Sequence, residues 1–233
     1  ERKGKGCQPP LLCQSTLITH AGLHASVRVR LETSGLSPRQ HSFTMDVVAC
    51  IDKLEESDPL KKKAKEAIAR TKRAVALYGR ELALSFNGGK DSTVVFHLLR
   101  AAMHLHSTST SSSTTSTTGE EEVFRSLCTF FFPQDDDFED ITRFVEDAAR
   151  EYHLKEVTYF HVDFKQGLET LIRDKGIKAM VLGTRFGDPN AKGQEYFCPS
   201  SEGWPPFMRV NPILDWTYED VWAFLRKCNL KYC

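Results

Sequence analysis

The sequence predicts an α/β fold, a parallel sheet with helices packed on both faces. Short apolar runs of strand length alternate with stretches whose apolar residues recur at helical spacing. Two of those runs end in glycine-bearing turns, Asn87-Gly88-Gly89 and Gly183-Thr184-Arg185. The chain has 233 residues, enough for one such domain with a sizeable core. Thirty-one Lys and Arg balance 31 Asp and Glu, so no global field draws the chain to nucleic acid or to a membrane. No stretch is long and apolar enough to span a bilayer. The seven cysteines form no Cys-x-x-Cys pair and no zinc spacing, which favours buried free thiols in a reducing compartment. His97 falls inside a helix, where packing is the better reading than ligation.

Taken in order, residues 1–44 do not read as domain. Their only acids are Glu1 and Glu32, and Arg, Ser and Thr are scattered without periodicity. An organelle transit peptide has that composition, and so does translated upstream sequence with Met45 as the start. Localisation is accordingly cytoplasmic, or mitochondrial or plastid if the leader is a transit peptide. The domain is expected over 45–233. A helix opens at Ser57-Asp58-Pro59, with Asp58 as N-cap and Pro59 in the first turn, and stops at Gly79. Strand Glu81–Phe86 follows, then a helix carrying Val94, Val95, Leu98, Leu99 and Ala102. Residues 107–118 are all Ser or Thr, an insertion with nothing to bury that is expected to be disordered. Val123–Phe132 reads as a strand, Asp135–Asp137 opens a helix running through Tyr152, and Val157–Val162 is a third strand. A helix over Asp163–Arg173 closes at Gly176. Strand Ala179–Leu182 then leads to Gly183. The final helix begins with the capping box Thr217-x-x-Asp220.

Chemistry concentrates at the strand ends, where parallel sheets gather their ligands. In Ser85-Phe86-Asn87-Gly88-Gly89-Lys90-Asp91-Ser92, a strand runs through two glycines into a helix. Glycines let backbone N–H groups approach an anion, and the first helical turn offers unpaired donors with a favourable dipole. Lys90 adds a charge, and Ser85 and Ser92 add hydroxyls. The Gly-x-x-x-x-Gly-Lys-Ser/Thr spacing of a Walker loop is absent. The competing reading is an ordinary strand–turn–helix corner. Arg185 at the second strand tip suits bidentate phosphate binding, and Asp188 suits orienting it, holding Mg²⁺, or opening the turn at Pro189. A third segment, Gly203-Trp204-Pro205-Pro206-Phe207-Met208-Arg209-Val210-Asn211-Pro212, is stiffened by proline into an extended run. Trp204, Phe207 and Met208 suit the wall of a pocket for a planar ligand, with Arg209 meeting an anion, or a connector packed on the sheet.

The first block resembles the PP-loop of the ATP pyrophosphatase superfamily. All three blocks, with Ile213-Leu214-Asp215-Trp216-Thr217-Tyr218 extending the third, resemble the eukaryotic FAD synthase family in the phosphoadenylyl-sulfate reductase-like branch. The resemblance covers about residues 57–233. It implies a Rossmann-like, adenine nucleotide α-hydrolase-like sheet and adenylyl transfer from ATP to FMN, with FAD and pyrophosphate as products. Mg²⁺ is the implied metal, held by Asp91 or Asp188. The partners implied are small-molecule substrates and flavoprotein clients that receive FAD.

By the same resemblance, Asn87, Asp91, Arg185 and Asp188 are the catalytic candidates. Ser85, Phe86, Gly88, Gly89, Lys90 and Ser92 attend the phosphates, and Phe132 stands beside adenine. Trp204, Phe207, Met208 and Arg209 shape the flavin side. Two features depart from the family pattern: Phe186 and Gly187 stand where an arginine and a Thr or Ser are usual. The family's domain also continues past Cys233, so the chain is expected to be C-terminally incomplete. The alternatives are another PP-loop enzyme of sulfate or adenylyl-sulfate metabolism, or a flavin- or nucleotide-binding module without catalysis.

Overall fold

The computed structural model describes residues 17–18, 26–30, 43–110, 124, 126–189 and 191–233. Its strands are β1 Leu17–Ile18, β2 Ser26–Arg30, β3 Leu82–Ser85, β4 Cys128–Phe131, β5 Glu156–Phe160, β6 Ala179–Val181, β7 Phe197–Pro199 and β8 Met208–Val210. The helices are α1 Phe43–Lys53, α2 Pro59–Tyr78, α3 Lys90–Thr110, α4 Glu139–Glu151, α5 Phe164–Lys175 and α6 Tyr218–Lys227. The sheet runs β1-β2-β5-β4-β3-β6-β8-β7. Its centre, β5-β4-β3-β6-β8, is parallel throughout, while β1, β2 and β7 pair antiparallel at the two edges. Chain order reverses at β3 and β6, which lie side by side.

Period-two alternation splits the strand residues between two apolar layers. Leu82, Leu84, Phe131, Val157, Ala179 and Val181 face the larger layer, with residues from α1, α2, α3, α4 and α6. Ala83, Phe130, Phe160 and Met180 face the smaller layer, to which α5 contributes Leu168 and Leu171. Helices therefore cover both faces, but unequally, and the thinly covered face has room for a cleft. Caps hold the helix starts: the Asp58 carboxylate accepts from Leu60 N at 3.0 Å, and Asp163 accepts from Lys165 N at 3.1 Å. The Thr217–Asp220 capping box forms reciprocally. Among the described residues, no helix is long and apolar enough to cross a membrane.

Four expectations change. Ser26–Arg30, inside the supposed leader, pairs in register with β5 over Glu156–Phe160. This strand needs no apolar run, because ladders to β5 on one side and to β1 on the other hold it while its described side chains are only half-buried. Residues 107–110 continue α3, and 111–118 of the Ser/Thr tract lie outside the described residues. The second strand is shorter than Val123–Phe132, beginning at Cys128. The proline-stiffened segment is partly β8: prolines at 205, 206 and 212 flank the strand and leave Met208–Val210 free to pair with β6 and β7.

Two positions generate measurable expectations. A Cβ on Gly167 in α5 would sit 2.3 Å from Phe132 Cε1 and 2.7 Å from Cζ. Phe132 cannot swing away freely, because it stacks on Phe160 at 5.1 Å and on Phe164 at 4.1 Å. Overpacking here outweighs the gain in helix propensity, so Gly167→Ala is expected to lose about 1–2 kcal/mol and a few degrees of melting temperature. His97 is buried, and its Nδ1 accepts from the Arg100 guanidinium at 3.2 Å. Burial, then the Arg100 charge, holds the imidazole well below its ordinary value of 6.5. As pH drops below 6.5 the unfolded chain takes up a proton that the folded chain refuses, so stability is lost on acidification. Urea midpoints should fall by the equivalent of about 1 kcal/mol one pH unit below that value, and His97→Gln should abolish this part of the slope.

Candidate functional site

The first strand tip is built to hold its backbone in one arrangement. Gly88 sits at φ +73, and a Cβ there would meet Val145 Cγ2 at 3.2 Å, so both backbone and space demand glycine. Asn87 Oδ1 accepts from Gly89 N at 3.2 Å. The Gly89 carbonyl accepts three times, from Thr93 N at 2.9 Å, Ser92 Oγ at 2.9 Å and Thr93 Oγ1 at 3.0 Å. These bonds point the carbonyl back into α3. The helix N-terminus is thus left to present its donors at the sheet's carboxyl edge.

The second tip packs directly onto that helix. A Cβ on Gly183 would lie 3.0 Å from the Asp91 carbonyl carbon and 3.1 Å from Ser92 N, so only glycine lets β6 end here. Arg185 then bridges the two tips. Its Nε lies 2.8 Å from Asp91 Oδ1, and its Nη2 is 3.4 Å from Asp188 Oδ1. Asp188 also accepts from Arg185 N at 2.7 Å, closing the turn. The Arg185–Asp91 approach is an ion pair poorly aligned for hydrogen bonding, leaving both buried atoms without a hydrogen-bond partner in the folded chain.

A cleft of about 870 Å³ opens between the tips on the thinly covered face, within the usual range for small-molecule sites. Ser85, Asn87, Gly89, Asp91, Ser92, Asp188, Trp204, Phe207 and Arg209 of the expected site residues line it. Arg209 is tethered, donating to the Pro199 carbonyl at 3.0 Å and to Ser201 Oγ at 3.2 Å. A smaller cavity of about 310 Å³ lies past the end of β4, lined by Asn87, Gly88, Gly89, Phe131 and Phe132. Phe164 links the cavities: it stacks on Phe132 and meets Trp204 edge-on at 6.5 Å.

Several expected residues sit elsewhere. Phe86 is fully buried and stacks on Phe96 at 4.8 Å, so its side chain belongs to the larger core layer. Strand alternation turns Met208 to that same layer, away from Phe207 and Arg209. Lys90 does not line the cleft; its ammonium pairs with Asp91 Oδ2 at 2.9 Å and lies 5.2 Å from the Tyr218 ring. Ser92 does line it, but its proton is directed to Gly89. Asp91 and Asp188 are both engaged by Arg185, and no group of three His, Cys, Asp or Glu gathers among the described residues. The two carboxylates therefore make no protein-only cage, and a Mg²⁺ held by either would take its remaining ligands from nucleotide phosphates and water. Sequence reading missed Phe164, Lys192 and Gln194 on the cleft wall. Phe164 carried a signal, an aromatic in the first turn beside the Asp163 cap.

A family model described as the phosphoadenosine phosphosulfate reductase domain matches residues 81–170 and 165–233. A probable FAD synthase of Caenorhabditis elegans is 36% identical over 156 residues, 66% of this chain and 27% of that protein. A probable FAD synthase of Schizosaccharomyces pombe is 31% identical over 153 residues, 65% of this chain and 54% of that protein. The chain thus spans between a quarter and about half of these relatives. The crystal structure of Candida glabrata FMN adenylyltransferase in complex with FMN and the ATP analogue AMPCPP aligns with a TM-score of 0.63 at 24% identity, covering 78% of this chain and 62% of that one. That likeness is one of fold.

The Gly183 contact gives the site its test. Gly183→Ala is expected to displace the first turn of α3, read as faster hydrogen exchange of the Ser92 and Thr93 amides, while the melting temperature moves by only a few degrees.

Proposed function

The chain belongs to the phosphoadenosine phosphosulfate reductase domain family, and within it we propose that this chain carries the adenylyl-transferring core of an FAD synthase. One observation carries the reading: two strand tips suited to phosphate meet across the first turn of α3, on a cleft walled by Trp204, Phe164 and Phe207. The FAD synthase relatives support it, as does the ligand pair, FMN and an ATP analogue, held by a protein of the same fold.

In this reading a terminal phosphate oxygen of FMN attacks the α-phosphorus of ATP. The new P–O bond forms as the bond to the β-phosphate bridging oxygen breaks, giving FAD and pyrophosphate. The nucleophile is already an anion at neutral pH, so no strong general base is needed. Catalysis then consists of alignment and charge neutralisation. Backbone N–H groups in the first turn of α3 receive the departing pyrophosphate, joined by Gly89 N when it exchanges Asn87 Oδ1 for a phosphate oxygen. Asn87, at the mouth of both cavities, turns its amide N–H toward the α-phosphate as charge develops there. Arg185 neutralises a neighbouring phosphate. Its misaligned contact with Asp91 is one that a phosphate oxygen can replace with better geometry. Trp204 and Phe207 take the flavin ring, Arg209 an anionic group beside it, and the cavity by Phe131 and Phe132 the adenine. Mg²⁺ is supplied with ATP in the assay.

Incubation with ATP, Mg²⁺ and FMN should yield FAD, resolved chromatographically from FMN. Asn87→Ala should lower turnover by about 10²-fold with little change in melting temperature. Unchanged turnover in the folded variant would remove Asn87 from the mechanism. Binding of both ligands without FAD would instead identify a binding module.

A further inference from the structure

Cys50 lies in α1, before the family-matched residues, and Cys228 follows the last turn of α6. The fold brings them together. The Cys50 thiol donates to the carbonyl of Lys227, the residue bonded to Cys228, at 3.3 Å. Both are half-buried, and Cys228 packs on the larger apolar layer. Neither takes part in the cleft. Cys128 and Cys198 sit on β4 and β7, and Cys233 is exposed at the chain's end.

We propose that Cys50 and Cys228 are a site of reversible oxidation, forming an intrachain disulfide when the protein meets a small-molecule disulfide. Burial, reinforced by the neighbouring Cys50, holds the Cys228 thiol protonated far above its ordinary range. The first attack therefore falls to Cys50, whose thiolate takes one sulfur of the small disulfide and expels the other as a thiolate. Cys228 then loses its proton to water, a slow step for a buried thiol. Its thiolate attacks the Cys50 sulfur of the mixed disulfide and expels the second small thiolate, which is protonated to the thiol. Two S–H bonds are lost and one S–S bond forms, while two electrons and two protons pass to the small disulfide, which leaves as two thiols. Both α1 and α6 pack against α3, so the bond staples together two helices that brace the one carrying the glycine loop. This inference does not depend on the proposed reaction.

The test is prolonged incubation with oxidised glutathione, alkylation, and non-reducing digestion with mass spectrometry. A linked Cys50–Cys228 peptide pair is expected, with two thiols lost and recovered on dithiothreitol treatment. The melting temperature should rise by about 5–15 °C. Cys50→Ser and Cys228→Ser should each remove the linked pair and the rise. Oxidation that leaves glutathione on exposed Cys233 while Cys50 and Cys228 stay reduced, or that joins either to another cysteine, would overturn the proposal.

Discussion

The close seating of β6 on the first turn of α3 is the constraint on which the site depends. Gly183 brings a strand end against backbone atoms of Asp91 and Ser92 at distances a side chain would forbid. With that approach made, Arg185 leaves β6 already within reach of Asp91, and Asp188 folds back to hold it. The contact lies where the order of the parallel strands reverses. There, neighbouring crossovers diverge to opposite sides and leave a crevice beyond the strand ends. The cleft is therefore a product of topology, and the close meeting of its two strand tips is a product of one glycine.

The Trp204–Trp216 block divides its work between chemistry and anchorage. Trp204, Phe207 and Arg209 face the cleft, but Asn211, Pro212, Ile213 and Leu214 are buried behind it. Arg70 of α2 reaches across to Asp215 at 3.0 Å and to the Pro212 carbonyl at 3.1 Å, and its guanidinium covers the Tyr196 ring at 3.6 Å. Asn211 donates to Gln194 Oε1 and the Glu195 carbonyl, both at 2.9 Å, and so fixes the loop at the cleft's rim. A motif that is specific in sequence need not be chemical along its whole length.

What could be read from residues alone follows from how local each signal was. The helix over 59–78, the strand before Asn87 and the Thr217 capping box were legible because periodicity and caps act within a few positions. The Gly88-Gly89 loop was legible for the same reason. The register of β2 against β5, the pairing of β8 between β6 and β7, and the α5 wall formed by Phe164 were not, since each is decided by partners far away in the chain. Phe86 and Met208 show the matching error: they were read as site residues because they neighbour site residues, whereas strand alternation sends adjacent side chains to opposite faces. Lys90 and Ser92 were read from residue type, and their charge and proton are directed to Asp91 and Gly89.

α3 leads away from the glycine loop at the strands' carboxyl ends, and β4 begins at the opposite, amino edge of the sheet. In a parallel sheet a helix returns the chain to the amino ends of the strands, while ligands collect at their carboxyl ends. Length and composition on that far edge are thereby decoupled from the geometry around Asn87 and Gly183. Changes in sequence between the end of α3 and the start of β4 are therefore expected to leave the site's geometry intact, which gives an engineer a place to insert a tag or a reporter domain.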